Sequence, residues 1–92
     1  MPLIDCRVSV KEQTLETLQG LRQGPRTRMK LAYKDRPDLT FIVQGDLPSQ
    51  CQRAAQDAAR QRFGHTHDIL SVNITDARGR AVAVVIKPRV VG

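Results

Sequence analysis

Aromatic side chains are nearly missing from this chain: Tyr33, Phe41 and Phe63 are all it has, and there is no tryptophan. Stacking of bases on ring side chains, a frequent way of holding single-stranded nucleic acid, therefore has little to work with. The core must be built instead from Val, Ile, Leu and Ala. Cysteine is scarce too. Cys6 and Cys51 lie far apart and lack the paired spacing of a zinc site, so no metal is expected. Both read as small core residues that stay thiols in a reducing cytoplasm. No run of residues is long and apolar enough to span a membrane, and no charged segment followed by an apolar run opens the chain. A cytoplasmic protein without a membrane partner is the expectation. The chain also lacks a phosphate-binding glycine loop, a dinucleotide glycine fingerprint and a nucleophile elbow, so no cofactor is expected.

What is present is ordinary in kind and unusual in charge. Ninety-two residues, 40% hydrophobic and 26% charged, make one folded domain spanning 1–92. Fifteen basic residues against nine acidic ones leave a net charge of +6, which favours polyanionic partners. The excess is uneven. Residues 1–24 carry three basic and three acidic groups, whereas 25–44 carry five and two.

Periodicity gives the order of elements. Ile4, Cys6 and Val8 alternate with Asp5 and Arg7, which predicts a half-buried strand. Ser9 stands three residues before Glu12 in the pattern of a capping box, and Leu15, Leu18 and Leu21 supply a helical stripe that Gly24-Pro25 ends. Met29, Leu31 and Tyr33, the tetrapeptide Asp35-Arg36-Pro37-Asp38, then Leu39, Phe41 and Val43 predict a β-hairpin with one apolar face. Pro48 suits the first turn of a second helix with Cys51, Ala55, Ala58 and Phe63 on its stripe, stopped at Gly64. A closing hairpin joins Leu70–Ile74 to Ala81–Ile86 through Asp76-Ala77-Arg78-Gly79, and its last strand is apolar on both faces. The order β-α-β-β-α-β-β predicts an α+β, ferredoxin-like β-α-β-β-α-β sandwich with an added C-terminal strand.

In that arrangement two helices cover one sheet face and leave the other open. Alternation puts Met29, Leu31, Tyr33, Phe41 and Val43 toward the helices, and Arg7, Arg28, Lys30 and Lys34 on the open face. With Arg26 and Arg36 beside them, these six are the candidate contacts to nucleic-acid phosphates. The RNA-recognition motif uses the same platform, but with aromatics on the open face, and here Phe41 falls on the core side. Phosphate contact is left without base stacking. The expected function is a small, non-enzymatic binding module for nucleic acid or another polyanion. The apolar last strand would sit at the sheet edge, where a second subunit should cover it, so a homodimer is expected.

Two further features bear on function. His65 and His67 flank the end of the second helix beside Asp68, but a polar loop explains them without a metal. The opening Pro2-Leu3-Ile4-Asp5, with Glu12-Gln13 in the next element, is similar to the start of the tautomerase superfamily. That resemblance covers about the first twenty residues and implies Pro2 as a general base once Met1 is removed. The long Met29–Gln44 hairpin departs from that family's units. A tautomerase-like enzyme is the alternative to a binding module, as is an interaction module pairing through its last strand.

Overall fold

A computed structural model describes residues 3–17 and 29–89. It contains five strands and one α-helix in the order β1 (Ile4–Thr17), β2 (Met29–Asp35), β3 (Phe41–Gly45), α1 (Pro48–Phe63), β4 (His67–Ile74) and β5 (Ala81–Pro88). A single 3-10 turn, Pro37–Leu39, joins β2 to β3. The ferredoxin-like sandwich is thereby corrected: one helix, not two, packs on a mixed five-stranded sheet.

The difference begins at Ser9. The expected first helix is strand through Thr17, and its later residues Leu18, Leu21 and Gly24 lie outside the described residues. The capping-box spacing loses to long-range pairing. In the antiparallel ladder of β1 with β2, Glu12 faces Lys34, Glu16 faces Lys30 and Leu15 faces Leu31. Cross-strand charge pairs of this kind each contribute a few tenths of a kcal/mol to about 1 kcal/mol. The same Glu12 and Glu16 that sit four apart on a helix serve equally well four pairs apart on one face of a ladder.

The expected Met29–Gln44 hairpin is also corrected. β2 and β3 do not pair with each other; both pair with the same edge of β1, β3 along Ile4–Val8 and β2 along Lys11–Thr17. Between the two ladders β1 spends two residues, Ser9 and Val10, while the opposing chain spends five, Arg36 to Thr40. The three extra residues are taken up by the 3-10 turn, which Pro37 opens. Proline has no N–H to give to a ladder, so this is where the strand breaks. Arg36 N still donates to Val10 O at 2.8 Å and keeps the break docked.

On its other side β1 runs parallel to β5, and β5 pairs antiparallel with β4, giving the order β2/β3-β1-β5-β4. The last strand is therefore interior, not at the edge. It is flanked by β1 and β4, and α1 covers the face of Val82, Val84 and Ile86, while Ala81, Ala83 and Val85 on the other face are half-buried. Val84 is fully buried in the core.

The second predicted helix and the closing hairpin form where expected, except that Ala59, not Ala58, completes the buried stripe and Ala58 packs at its margin. Cys51, Ala55, Ala59 and Phe63 form the buried stripe of α1, and the small side chains bring the helix close to Val8, Val82, Val84 and Ile86. The β4–β5 turn is pinned by Asp76, whose Oδ1 accepts from Arg78 N at 2.9 Å. Gly79 there has φ 75°, and a Cβ on it would come within 2.8 Å of Pro48 Cα. Only glycine fits a left-handed position pressed on the first turn of a helix. Cys6 and Cys51, expected as separate thiols, are joined in a disulfide that ties β1 to α1. Among the described residues no helix is long and apolar enough to cross a membrane.

Candidate functional site

The three-residue insertion has a consequence for every side chain on β2. Strand side chains alternate with a period of two, so an odd insertion exchanges the faces. Before it, Cys6, Val8 and Val10 point under α1, and β3 places Val43 opposite Cys6 and Phe41 opposite Val8 on the same side. Beyond it, Leu31 pairs with Leu15 and Tyr33 with Gln13, both in phase with Arg7 and Lys11. Met29, Leu31 and Tyr33 thus lie on the open face, the reverse of the expectation from simple alternation. They are 54%, 55% and 56% exposed, and Leu15 beside them is 60% exposed.

These residues sit on an arm. Past Glu12 no partner flanks β1 opposite β2 among the described residues, and the two strands continue alone as a twisted ribbon. The ribbon makes the molecule long, 61 Å by 29 Å by 20 Å, with a radius of gyration of 16.4 Å. A compact chain of this length has about 12 Å. Gln13 Nε2 donates to the Tyr33 hydroxyl at 3.0 Å, and Lys11 faces Asp35 at 3.9 Å at the base of the arm. Below it the open face continues through half-buried Ala81, Ala83 and Val85 to Ile42, which is 63% exposed. No helix covers this side of the sheet among the described residues.

The six candidate phosphate contacts are not gathered on one face. Arg7 lies on the open side opposite Ile42. Lys30 and Lys34, carried over by the insertion, lie on the other face opposite Glu16 and Glu12. Arg26 and Arg28 lie outside the described residues. Arg36 is committed to the insertion itself: Nη1 donates to Glu12, while Nε and Nη2 donate to the two oxygens of Asp38 at 3.1 Å and 2.9 Å. The hydrogen bond from Arg36 holds the Asp38 carboxyl below the ordinary carboxylate range. Arg36 reads as the clamp that shapes the break between β2 and β3.

The remaining candidates are dispersed. Pro2 lies outside the described residues, and Glu12-Gln13, helical in the tautomerase comparison, are in strand β1. His65 and His67 line a cleft at the end of α1 with Arg60 and Arg89. Asp68 is not free to join them, since its Oδ1 accepts from Arg89 Nε at 2.8 Å. No cluster of three or more metal-ligating side chains occurs among the described residues.

Leu15 and Ile42 are the surface residues that alternation alone passes over. For Leu15 a signal existed, because it is out of phase with Val8 and Val10 on one continuous strand. For Ile42 it did not: its role depends on whether anything covers the sheet. Compared with known protein families, with curated proteins and with solved structures, this chain matches none.

Proposed function

We propose that this chain is a small interaction module that associates with a second copy of itself through the apolar side of its arm and the adjoining open sheet face. The observation that carries the proposal is the alignment of Leu15, Met29, Leu31 and Tyr33, all more than half exposed, on one side of a projecting ribbon. Contiguous exposed apolar surface on a domain this small marks a contact site. Charge selects the occupant. The described part of the arm carries Lys11, Lys30 and Lys34 against Glu12, Glu16 and Asp35, a net of zero. In a chain of net charge +6, whose residues 18–28 between these strands include Arg22, Arg26 and Arg28, the described strands of the arm add no net charge for a second copy to repel. The Lys11–Asp35 pair at its base offers both signs to a two-fold partner, as a self-complementary contact requires.

Light scattering after size exclusion tests this directly, from about 1 to 200 µM, a range that brackets typical homodimer affinities. The expected result is a dimer that becomes a monomer in the double variant Leu15→Asp and Leu31→Asp. Both positions are exposed in the monomer, so the circular dichroism spectrum should be retained. A monomer at every concentration, or a dimer untouched by the double variant, overturns the proposal.

A further inference from the structure

On the opposite side of the sheet from the arm's apolar stripe, the structure carries a second feature of different chemistry. We infer that the cleft at the C-terminal end of α1 is a binding site for a phosphate group.

The cleft, about 410 Å³, opens between the last turn of α1, the turn that follows it, the start of β4 and the chain leaving β5. Gln56, Arg60, His65, His67 and Arg89 surround it and Ile69 contributes the apolar floor. Each of those five polar side chains can donate a hydrogen bond, and no carboxylate lines the cleft.

Several of these donors are both uncommitted and held in place. Arg89 is fixed twice, by its backbone N donating to Thr66 O at 2.9 Å and by Nε donating to Asp68. Its terminal nitrogens have no protein partner among the described residues. The His67 ring is oriented by the Thr66 hydroxyl, 2.7 Å from Nδ1, and by an edge contact to Phe63. That leaves Nε2 for a ligand. The Arg60 guanidinium and the His65 ring make no hydrogen bond among the described residues. Donors already oriented lose less freedom on binding.

The electrostatic balance favours an anion. Two guanidinium groups face the cleft, and Asp68 beside it is engaged by Arg89. The partial negative end of α1 opposes them with about half a charge, against two full positive charges. Two of its last four carbonyls are also occupied: Arg60 O accepts from Gly64 N and Phe63 O from Thr66 N, each at 3.0 Å. A carboxylate would offer two oxygens to donors arriving from four positions along the chain. A tetrahedral phosphate presents more, and guanidinium forks match it with paired hydrogen bonds. Because the cleft is open to solvent, the phosphate can belong to a free anion or to a nucleic-acid backbone.

Two probes separate these sources: pyrophosphate by calorimetry, and a short labelled single-stranded oligonucleotide by anisotropy at two salt concentrations. Each is measured on the wild type, Arg60→Gln, His65→Gln and Arg53→Gln. Arg53 is exposed on the same helix but outside the cleft, so its variant makes the same charge change as Arg60→Gln. The expected result is saturable binding of at least one probe, weakened about tenfold by Arg60→Gln, as loss of one charge-assisted hydrogen bond implies, and less than about twofold by Arg53→Gln. His65→Gln should fall between them. Pyrophosphate binding that also displaces the oligonucleotide identifies a free phosphate as sufficient; binding of the oligonucleotide alone identifies a polymer backbone. No saturable binding of either probe at low salt, or equal losses in Arg60→Gln and Arg53→Gln, overturns the inference.

Discussion

Leu31→Ala and Ile86→Ala remove the same three carbons from two places that simple alternation treats alike and the structure treats as opposites. Ile86 is fully buried beneath α1, whereas Leu31 is 55% exposed on the arm. At about 0.8 kcal/mol for each buried carbon, Ile86→Ala loses roughly 2.4 kcal/mol of transfer free energy. The cavity left in a packed core raises this to about 3–4 kcal/mol. Leu31 keeps less than half of the transfer contribution and leaves no cavity, so Leu31→Ala should cost about 1 kcal/mol or less. Urea unfolding followed by circular dichroism resolves the two as midpoint shifts at unchanged slope. In a domain of this size the corresponding loss in Tm for Ile86→Ala is on the order of 15–25 °C. Such a loss takes much of a typical stability of about 5–15 kcal/mol. Ile86→Val, at about 1 kcal/mol, therefore serves as a graded companion. The measurements are made at a concentration where the protein is monomeric, because association through the arm would add a concentration-dependent cost to Leu31→Ala. A monomer in which Leu31→Ala costs as much as Ile86→Ala would place Leu31 in the core. The exchange of faces at the 3-10 turn would then be wrong, and the proposed association surface with it.

Two other predictions rest on single contacts. The Cys6–Cys51 disulfide spans 45 residues of sequence, and in the chain-entropy account a loop of that length contributes up to about 4 kcal/mol. Unreduced, denatured protein should not react with an alkylating reagent, and reduction should lower the urea midpoint; full alkylation without reductant would refute the link. Asp38, its carboxyl held low by Arg36, contributes stability that is present above the ordinary carboxylate range, near 3.9, and lost as pH falls through the folded-state value. Asp38→Asn should remove part of the acid-side decline in the urea midpoint below roughly pH 4, by a small amount because the pair is exposed. Identical acid limbs in the two proteins would show that the Arg36 contact does not act on stability.

The parts of the fold legible in the sequence are those decided locally. Pro48 at a first turn, apolar residues four apart through Cys51, Ala55 and Phe63, and a turn at Asp76–Gly79 each act within a few residues, and each element forms where they point. The parts that were not legible depend on which strand pairs with which. Glu12 and Glu16 satisfy a helix face and a ladder equally, and their places opposite Lys34 and Lys30 depend on a distant strand. The apolarity of β5 on both faces indicated burial on both sides, but only the face of Val82, Val84 and Ile86 is buried, and Ala81, Ala83 and Val85 are half-buried on the uncovered side; its location required knowing that β1, not β2, is its neighbour. Face assignment failed most sharply, since Met29, Leu31, Tyr33, Leu39, Phe41 and Val43 are all odd-numbered and read as one stripe. An insertion of three residues divides them into two stripes on opposite sides of a sheet.

That division also reorganises the charge. Had alternation held, Arg7, Lys30 and Lys34 would share an open face, and the positive excess and the uncovered sheet would be one surface. With the faces exchanged, Lys30 and Lys34 stand opposite Glu16 and Glu12 in the ladder, and the described strands of the arm carry no net charge. At the end of α1, Arg60 and Arg89, the latter paired with Asp68, face a cleft that no carboxylate lines. The arm's apolar stripe and this cleft lie on opposite faces of the sheet, because the stripe is in phase with Lys11 and the cleft is built on the α1 side. Pairing of two copies through their open faces would therefore leave both clefts directed outward and unobstructed. Self-association and anion binding then make no competing demands on the same residues, which is what allows each to be tested by variants that leave the other intact.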